Sequence, residues 1–535
     1  MKQLISIMLL LAVMQTGRAQ VAGTPYIGYT PSSAASTAGK DFWLTFTSNY
    51  NYTPDVNFGP PGSNANVSFE LMIATNLQNT VTISFTADSV NGAPRSFTYN
   101  LAAGESRRIV LYAMSSDGST DAPIDERAAA YGFNGDASFS GVLNNTIHII
   151  SAQPIVVYAF NVMNETTDGT CVYSVPTWGT EYRPIAYSGI FQPGEVVVAN
   201  QDGTNVFING SATPAATLKA GQLYIVQGTP GDDFTGRLFT SSKPVAYFAS
   251  VPGLNIVGSF ADMFQEQMVS VDKWDTKYFV PNVPQFSANT TPDASGTALT
   301  TNNHIRIVAS KDNTQVNYKG AFPDVSNGFP NENQIASGGT LNAGQYVELV
   351  INDRDSGAYI TANNPIGVAD YLVGGNTNVA DIYGYTITDA FKISGDPDNA
   401  VIPGLSQMIQ NVTMSPFMFP IKPGALNYTA FGNTSAVQHG AVIVTPTANK
   451  GNVVMTKGSD PTNLLLTDPN GGTWIDDANG SGMSVYRYIF DDFNDIGSSF
   501  TIKSLAAGSG IMVLGYGLAN FESYYYDAGS GLKAL

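Results

Sequence analysis

Three short elements recur in a fixed order four times along the chain, and this order constrains the fold more than any other feature. The first is an apolar strand, a polar turn and an alternating strand. It is written LMIATNLQNTVTISF (Leu71–Phe85), VVVANQDGTNVFING (Val196–Gly210) and IRIVASKDNTQVNYKG (Ile305–Gly320), with a weaker copy in AVIVTPTANKGNVVM (Ala441–Met455). Asp202-Gly203 and Asp312-Asn313 supply residues that accept the positive φ of a tight turn. The second element is Leu-x-Ala-Gly before a strand, ending at Gly104, Gly221 and Gly344, a glycine suited to a turn closed to residues with a Cβ. The third reads as another hairpin, in which Pro154, Pro244 or Pro365 precedes an apolar strand because proline cannot donate a ladder bond. In the fourth copy Gly508-Ser509-Gly510 replaces that proline.

Helical periodicity is scarce, and short runs of Val, Ile, Tyr, Phe and Thr are broken by Asn, Asp, Gly and Pro, so the expected class is all-β. Each repeat is longer than the about 40–50 residues of a propeller blade. The expectation is therefore four tandem β-sandwich-like units of antiparallel strands, at 39–177, 178–273, 274–399 and 400–535, with a closed propeller-like arrangement as the alternative.

A further motif opens the units. SVPTWGTEYRPIAY and SVDKWDTKYFVPNV share Trp-x-Thr-x-Tyr, at Trp178 and Tyr182 and at Trp274 and Tyr278, and GKDFWLTF is a partial copy at Phe42 and Trp43. An extended segment carries its alternate side chains on one face. The motif is thus expected to seal joints between successive units rather than to form a lone pocket.

Charged residues make up only 12% of the chain, about half the usual share, and net charge is -18. That balance argues against nucleic acid, whose phosphates need a basic surface, and against anionic lipid. Residues 1–19 read as a secretory signal peptide whose apolar run is too short to span a bilayer, which predicts a secreted, cell-surface-associated protein with no direct membrane insertion. Residues 20–38 are expected to form a flexible segment able to add a strand to a neighbouring subunit. Cys171 is the single cysteine, so no intramolecular disulfide can form, and it is either a buried thiol or an intermolecular partner.

Catalytic signals are few. His148, His304 and His439 are scattered on strands, no Gly-x-Ser-x-Gly elbow occurs, and no zinc or phosphate-loop spacing is present. The acids cluster in turns: Asp353 and Asp355, Asp396 and Asp398, Asp476 and Asp477, and Asp491, Asp492 and Asp495. Asp favours turns for backbone reasons alone, but a carboxylate pair could also serve a glycan-active hydrolase, which is the alternative function. Calcium is the one possible cofactor, at Asp353, Asp355, Asp491, Asp492 and Asp495. Tyr50, Tyr52 and Phe58 in a Pro/Gly-rich insertion, and Tyr524, Tyr525 and Tyr526 near the end, are candidate contacts for an extracellular protein or glycan. The competing reading is that alternate tyrosines of a strand pack inward.

The stretches GKDFWLTFTSNYN, SAQPIVVYAFN, WGTEYRP, VVVANQDGTNVFI, SSKPVAYFAS, ADMFQEQM, IRIVASKDNTQVN and GYGLANFESYYYDAG, in this order, resemble the N-terminal domain family of the IgG Fc-binding proteins. That domain also occurs in large exported bacterial surface proteins. The resemblance spans nearly all of 39–527 and implies a non-catalytic extracellular interaction or adhesion module, while the low charge, the Gly/Asn/Thr-rich composition and the N-terminal segment add the expectation of a subunit of a surface assembly or a homo-oligomer. Vertebrate members are cysteine-rich, with a Cys-Asp-His-like stretch where this chain has Ala261-Asp262-Met263. The resemblance carries over no binding residue.

Overall fold

The computed structural model describes residues 36–47, 67–86, 96–113, 139–163, 166–189, 191–254, 256, 262–283, 303–323, 334–353, 355–373, 397–416, 438–466, 473–490, 495, 497–519, 522–532 and 534–535. These are almost entirely antiparallel strands joined by turns and four short 3-10 segments.

One long bent strand organises each of the first three units: Ile147–Met163, Phe239–Leu254 and Gly357–Val373. In the first unit its N-terminal half pairs with Gly39–Leu44 and Asn79–Phe85, and the latter pairs with Ser96–Leu101. Its C-terminal half pairs with Val67–Ala74 and Thr166–Val172, and Ser106–Ala113 adds the outer edge. The second and third units repeat this plan. In the fourth the long strand is split by the Gly508-Ser509-Gly510 turn into Phe500–Ser504 and Met512–Ala519.

The segment expected to be a second hairpin is therefore a single strand that changes sheets. Proline removes one ladder donor, and register shifts between Gly39 and Asp41, where the partner strand skips from Ile155 to Ile150. Ser151 and Ser241 donate to the carbonyls of Gln153 and Lys243 at 2.7 Å, closing the bend locally. The turn expectations hold at Gly203 and Asn313, with φ of 69 and 58, and at Gly104, Gly221 and Gly344, with φ of 77, 81 and 80.

The final strand of each unit, Thr166–Val172, Asp262–Gln267, Pro397–Val401 and Glu522–Asp527, lies inside the molecule. These four inner strands touch in a circuit, first to second, second to third, third to fourth and fourth to first. The sandwich-like units therefore close into a ring, combining both architectures the repeats allowed. The joints use the same part each time. The turn before each outer strand docks on the preceding unit: Gly104 on Gly458, Gly221 on Trp43 and Thr86, and Gly344 on Gly236. In the fourth unit Asn479 fills this role, donating to Asp353 and to the Gly357 carbonyl of the third. One apolar cluster draws on all four units, including Tyr158, Tyr247, Tyr371 and Tyr486.

Candidate interaction groove at a joint between units

The unit-opening motif builds the same local circuit twice. The Trp178 and Trp274 indoles each donate to a carbonyl five residues back, Tyr173 and Val269, at 3.1 Å. The Tyr182 hydroxyl donates to the Val245 carbonyl at 2.6 Å and accepts the Gly179 N–H, while Tyr278 does the same with Ile366 and Asp275. Val245 and Ile366 directly follow Pro244 and Pro365, so the motif clamps the bend of the long strand. Phe42 lacks the hydroxyl; beside it Trp43 stacks on His148 with centroids 3.7 Å apart, and Asp41 meets His148 at 2.9 Å.

The residue after Tyr182 is Arg183, which faces the third unit. Its guanidinium donates to the Gly236 carbonyl at 2.9 Å, against which Gly344 of the third unit packs. An open groove of about 950 Å³ lies here, lined by Arg183, Asp232, Phe234, Arg237 and Gln345 among others. Two positive-φ glycines, Gly231 and Gly236, shape the loop that forms its wall.

A buried polar network holds the floor of this joint. Arg306, fully buried, donates to Asp233 at 2.7 Å, to Glu348 at 2.9 Å and to the Ala186 carbonyl at 2.6 Å. Its guanidinium lies 3.5 Å from the Tyr187 ring centroid and 4.7 Å from that of Tyr346. His304 meets Glu348 at 3.0 Å, and the Tyr187 hydroxyl donates to Glu348. Burial pushes the Glu348 carboxyl up, but Arg306 and these hydrogen bonds override it and hold the pKa at about 2. Burial lowers the pKa of Arg306, and the Asp233 and Glu348 carboxylates more than reverse this. The network ties Arg306 to the carboxylates of Asp233 and Glu348 and fixes the geometry of the rim above it.

The sequence expectations distribute differently. Tyr524, Tyr525 and Tyr526 are buried, which corrects their assignment as a contact surface: Tyr524 and Tyr526 pack on Phe160, and Tyr525 donates to Asp370. Even a run of consecutive tyrosines is covered on both faces when its strand lies at the ring axis. Tyr50, Tyr52 and Phe58, with Asp396, Asp491 and Asp492, lie outside the described residues. Asp353 caps the turn at Ser356 and accepts from Asn479, Asp355 follows in the same turn, and Asp495 pairs with Lys457 at 2.7 Å. Among the described residues no three His, Cys, Asp or Glu side chains come together as a metal site. Cys171 is a buried thiol, 1% exposed, in line with the first of its two readings. His439 is buried against Tyr524, and burial drives its pKa down to about 3.

Sequence reading missed Arg306, Glu348 and Asp233. The available signal was a lone charge inside an apolar strand, HIRIVA and YVELVI, in a chain poor in charge. Their partners are far away in sequence.

No helix among the described residues is long and apolar enough to cross a membrane. No curated protein matches the chain. The family model described as IgGFc binding protein matches residues 32–230 and 168–488, two overlapping stretches that run through successive repeats. With these matches extending over most of its length, the chain belongs to the IgGFc-binding protein family.

Proposed function

We propose that this protein is an extracellular, non-catalytic interaction module, serving adhesion or a cell-surface assembly, and that its protein partner engages the groove between the second and third units. The family is a binding family and its members are typically extracellular. The observation that carries the reading is an open rim of Arg183, Asp232, Phe234 and Arg237 standing on a floor locked by Arg306. A binding surface gains from such preorganisation, because little side-chain freedom is lost on contact. The rival hydrolase needs two carboxylates flanking an accessible bond, whereas Asp353 is engaged by Ser356 and Asn479 and Asp495 pairs with Lys457.

Surface plasmon resonance against immobilised immunoglobulin Fc, a glycan array and a second copy of the chain tests the proposal. Binding to one of these, weakened about tenfold by Arg183→Ala as for a residue worth above 1 kcal/mol, is expected. Failure to bind any of the three, together with product in a glycan-hydrolysis screen, would overturn it.

A further inference from the structure

The four unit entrances are built alike except at one position. The carbonyls of Ser174, Ser270 and Gly404 accept the N–H groups of Thr177, Lys273 and Gln407, and where the two ends of the chain meet Ser530 does the same for Thr37. One residue separates each of these donors from the residue paired to the bend of the long strand. The bend pairs are Gly179 with Val245, Asp275 with Ile366, Ile409 with Ile511 and Gly39 with Ile155. The intervening residue is Trp178, Trp274 or Met408, buried in each case. In the first unit it is Ala38, which is only half-buried.

Beside Ala38 lies a cavity of about 270 Å³. Leu77, Ile155 and Val156 of the first unit and Ile409 and Val412 of the fourth line it, and among the described residues no charged side chain does. The corresponding space in the third unit, beside Trp274 and Gly367, measures about 10 Å³. The Trp274 ring lies so close there that a Cβ on Gly367 would stand 2.5 Å from it. The indoles of Trp178 and Trp274 donate to the carbonyls of Tyr173 and Val269, the residues just before Ser174 and Ser270. The matching residue at the ring closure is Gly529, just before Ser530. It lines the cavity, and among the described residues no donor reaches its carbonyl. Apolar walls and a carbonyl are thus in place for an indole that the first unit does not supply. An apolar cavity of about 150 Å³ is already enough to take up benzene.

We propose that this cavity is a second binding site, which takes the indole of a tryptophan presented by a partner polypeptide at the seam between the first and fourth units. It is separate from the groove between the second and third. The absence of charge around it selects a neutral, apolar group. Exposed Asn76 and Asn411 in its lining offer amides to the backbone on either side of that tryptophan. A second copy of the chain has no indole to lend, because its four tryptophans, Trp43, Trp178, Trp274 and Trp474, all pack on its own core. An aromatic anchor in a preformed pocket is where binding energy concentrates.

N-acetyl-tryptophanamide added to the whole chain is the probe, read by titration calorimetry and by the melting temperature, which a ligand of the folded state raises. It should bind the wild type and raise its melting temperature, whereas N-acetyl-alaninamide should do neither. Ala38→Trp should fill the site from within, melt higher than the wild type and lose the binding. If that variant does not fold, Ala38→Met carries the test and should lose the probe too. Met408 already shares a core cluster with Met512, which follows Ile511 as Val156 follows Ile155. Equal binding to the wild type and the filled variant would overturn the site, as would a wild type that the probe does not bind. Uptake seen only after Tyr26→Ala and Tyr29→Ala would put the chain's own N-terminal segment in the cavity and overturn the partner polypeptide.

Discussion

At the scale of single residues, the motif that opens the second and third units acts as a clamp. Tyr182 is 1% exposed, and its hydroxyl bridges the Gly179 N–H and the Val245 carbonyl. Removing that oxygen leaves a buried donor and acceptor stranded, which costs about 1–3 kcal/mol. Tyr182→Phe should therefore lower the denaturant midpoint by that amount while leaving the unfolding slope unchanged. Trp178→Ala removes a whole buried ring and should cost more, about 3–5 kcal/mol. A midpoint unmoved in both variants would sink the clamp. That Trp178 and Tyr182 were structural was legible from their recurrence. Their partners were not, since Val245 is 63 residues from Tyr182 and is brought beside it only when the long strand bends at Pro244.

Elements meet through turns whose chemistry was only partly visible beforehand. The Leu-x-Ala-Gly glycines adopt left-handed φ, as a tight turn needs, but the sequence gives no sign that the turn is also where the preceding unit docks. A Cβ on Gly344 would lie 2.6 Å from the Gly236 carbonyl oxygen, whereas one on Gly203, with similar φ, would meet nothing within 4 Å. Gly203→Ala should cost only the left-handed strain, about 1–2 kcal/mol. Gly344→Ala should cost more, because backbone must also move. Thermal melts of the two variants decide this: equal losses would mean that the joint is not close-packed there. The fourth unit lacks the Leu-x-Ala-Gly turn because it makes its joint differently. A turn containing Asp477 and Asn479 replaces the glycine turn and reaches the third unit with side-chain hydrogen bonds instead of backbone contact.

Over the whole molecule, cores and joints are not separable. One apolar cluster contains Met72 and Tyr158 of the first unit, Tyr247 of the second, Tyr371 of the third and Tyr486 of the fourth. The ring is closed by backbone bonds between its two ends, Thr37 N–H to the Ser530 carbonyl at 2.9 Å and Ser106 N–H to the Gly497 carbonyl at 3.0 Å. Losing one unit would expose core belonging to its neighbours. Calorimetry should accordingly show a single transition with matching calorimetric and van't Hoff enthalpies. Four resolved transitions would mean beads on a string rather than a ring.

The amino-acid sequence by itself determined the strand class, the order of elements, the tight turns and the places where units begin, because each depends on residues within a few positions of one another. Only the tertiary structure decided that the third element is one bent strand, that the four units close on themselves, and that three consecutive tyrosines face inward. It also decided which charges meet. Arg306 finds Asp233, 73 residues away, across a joint. Such pairs depend on the direction in which each unit is laid against the next, and no local pattern encodes that direction.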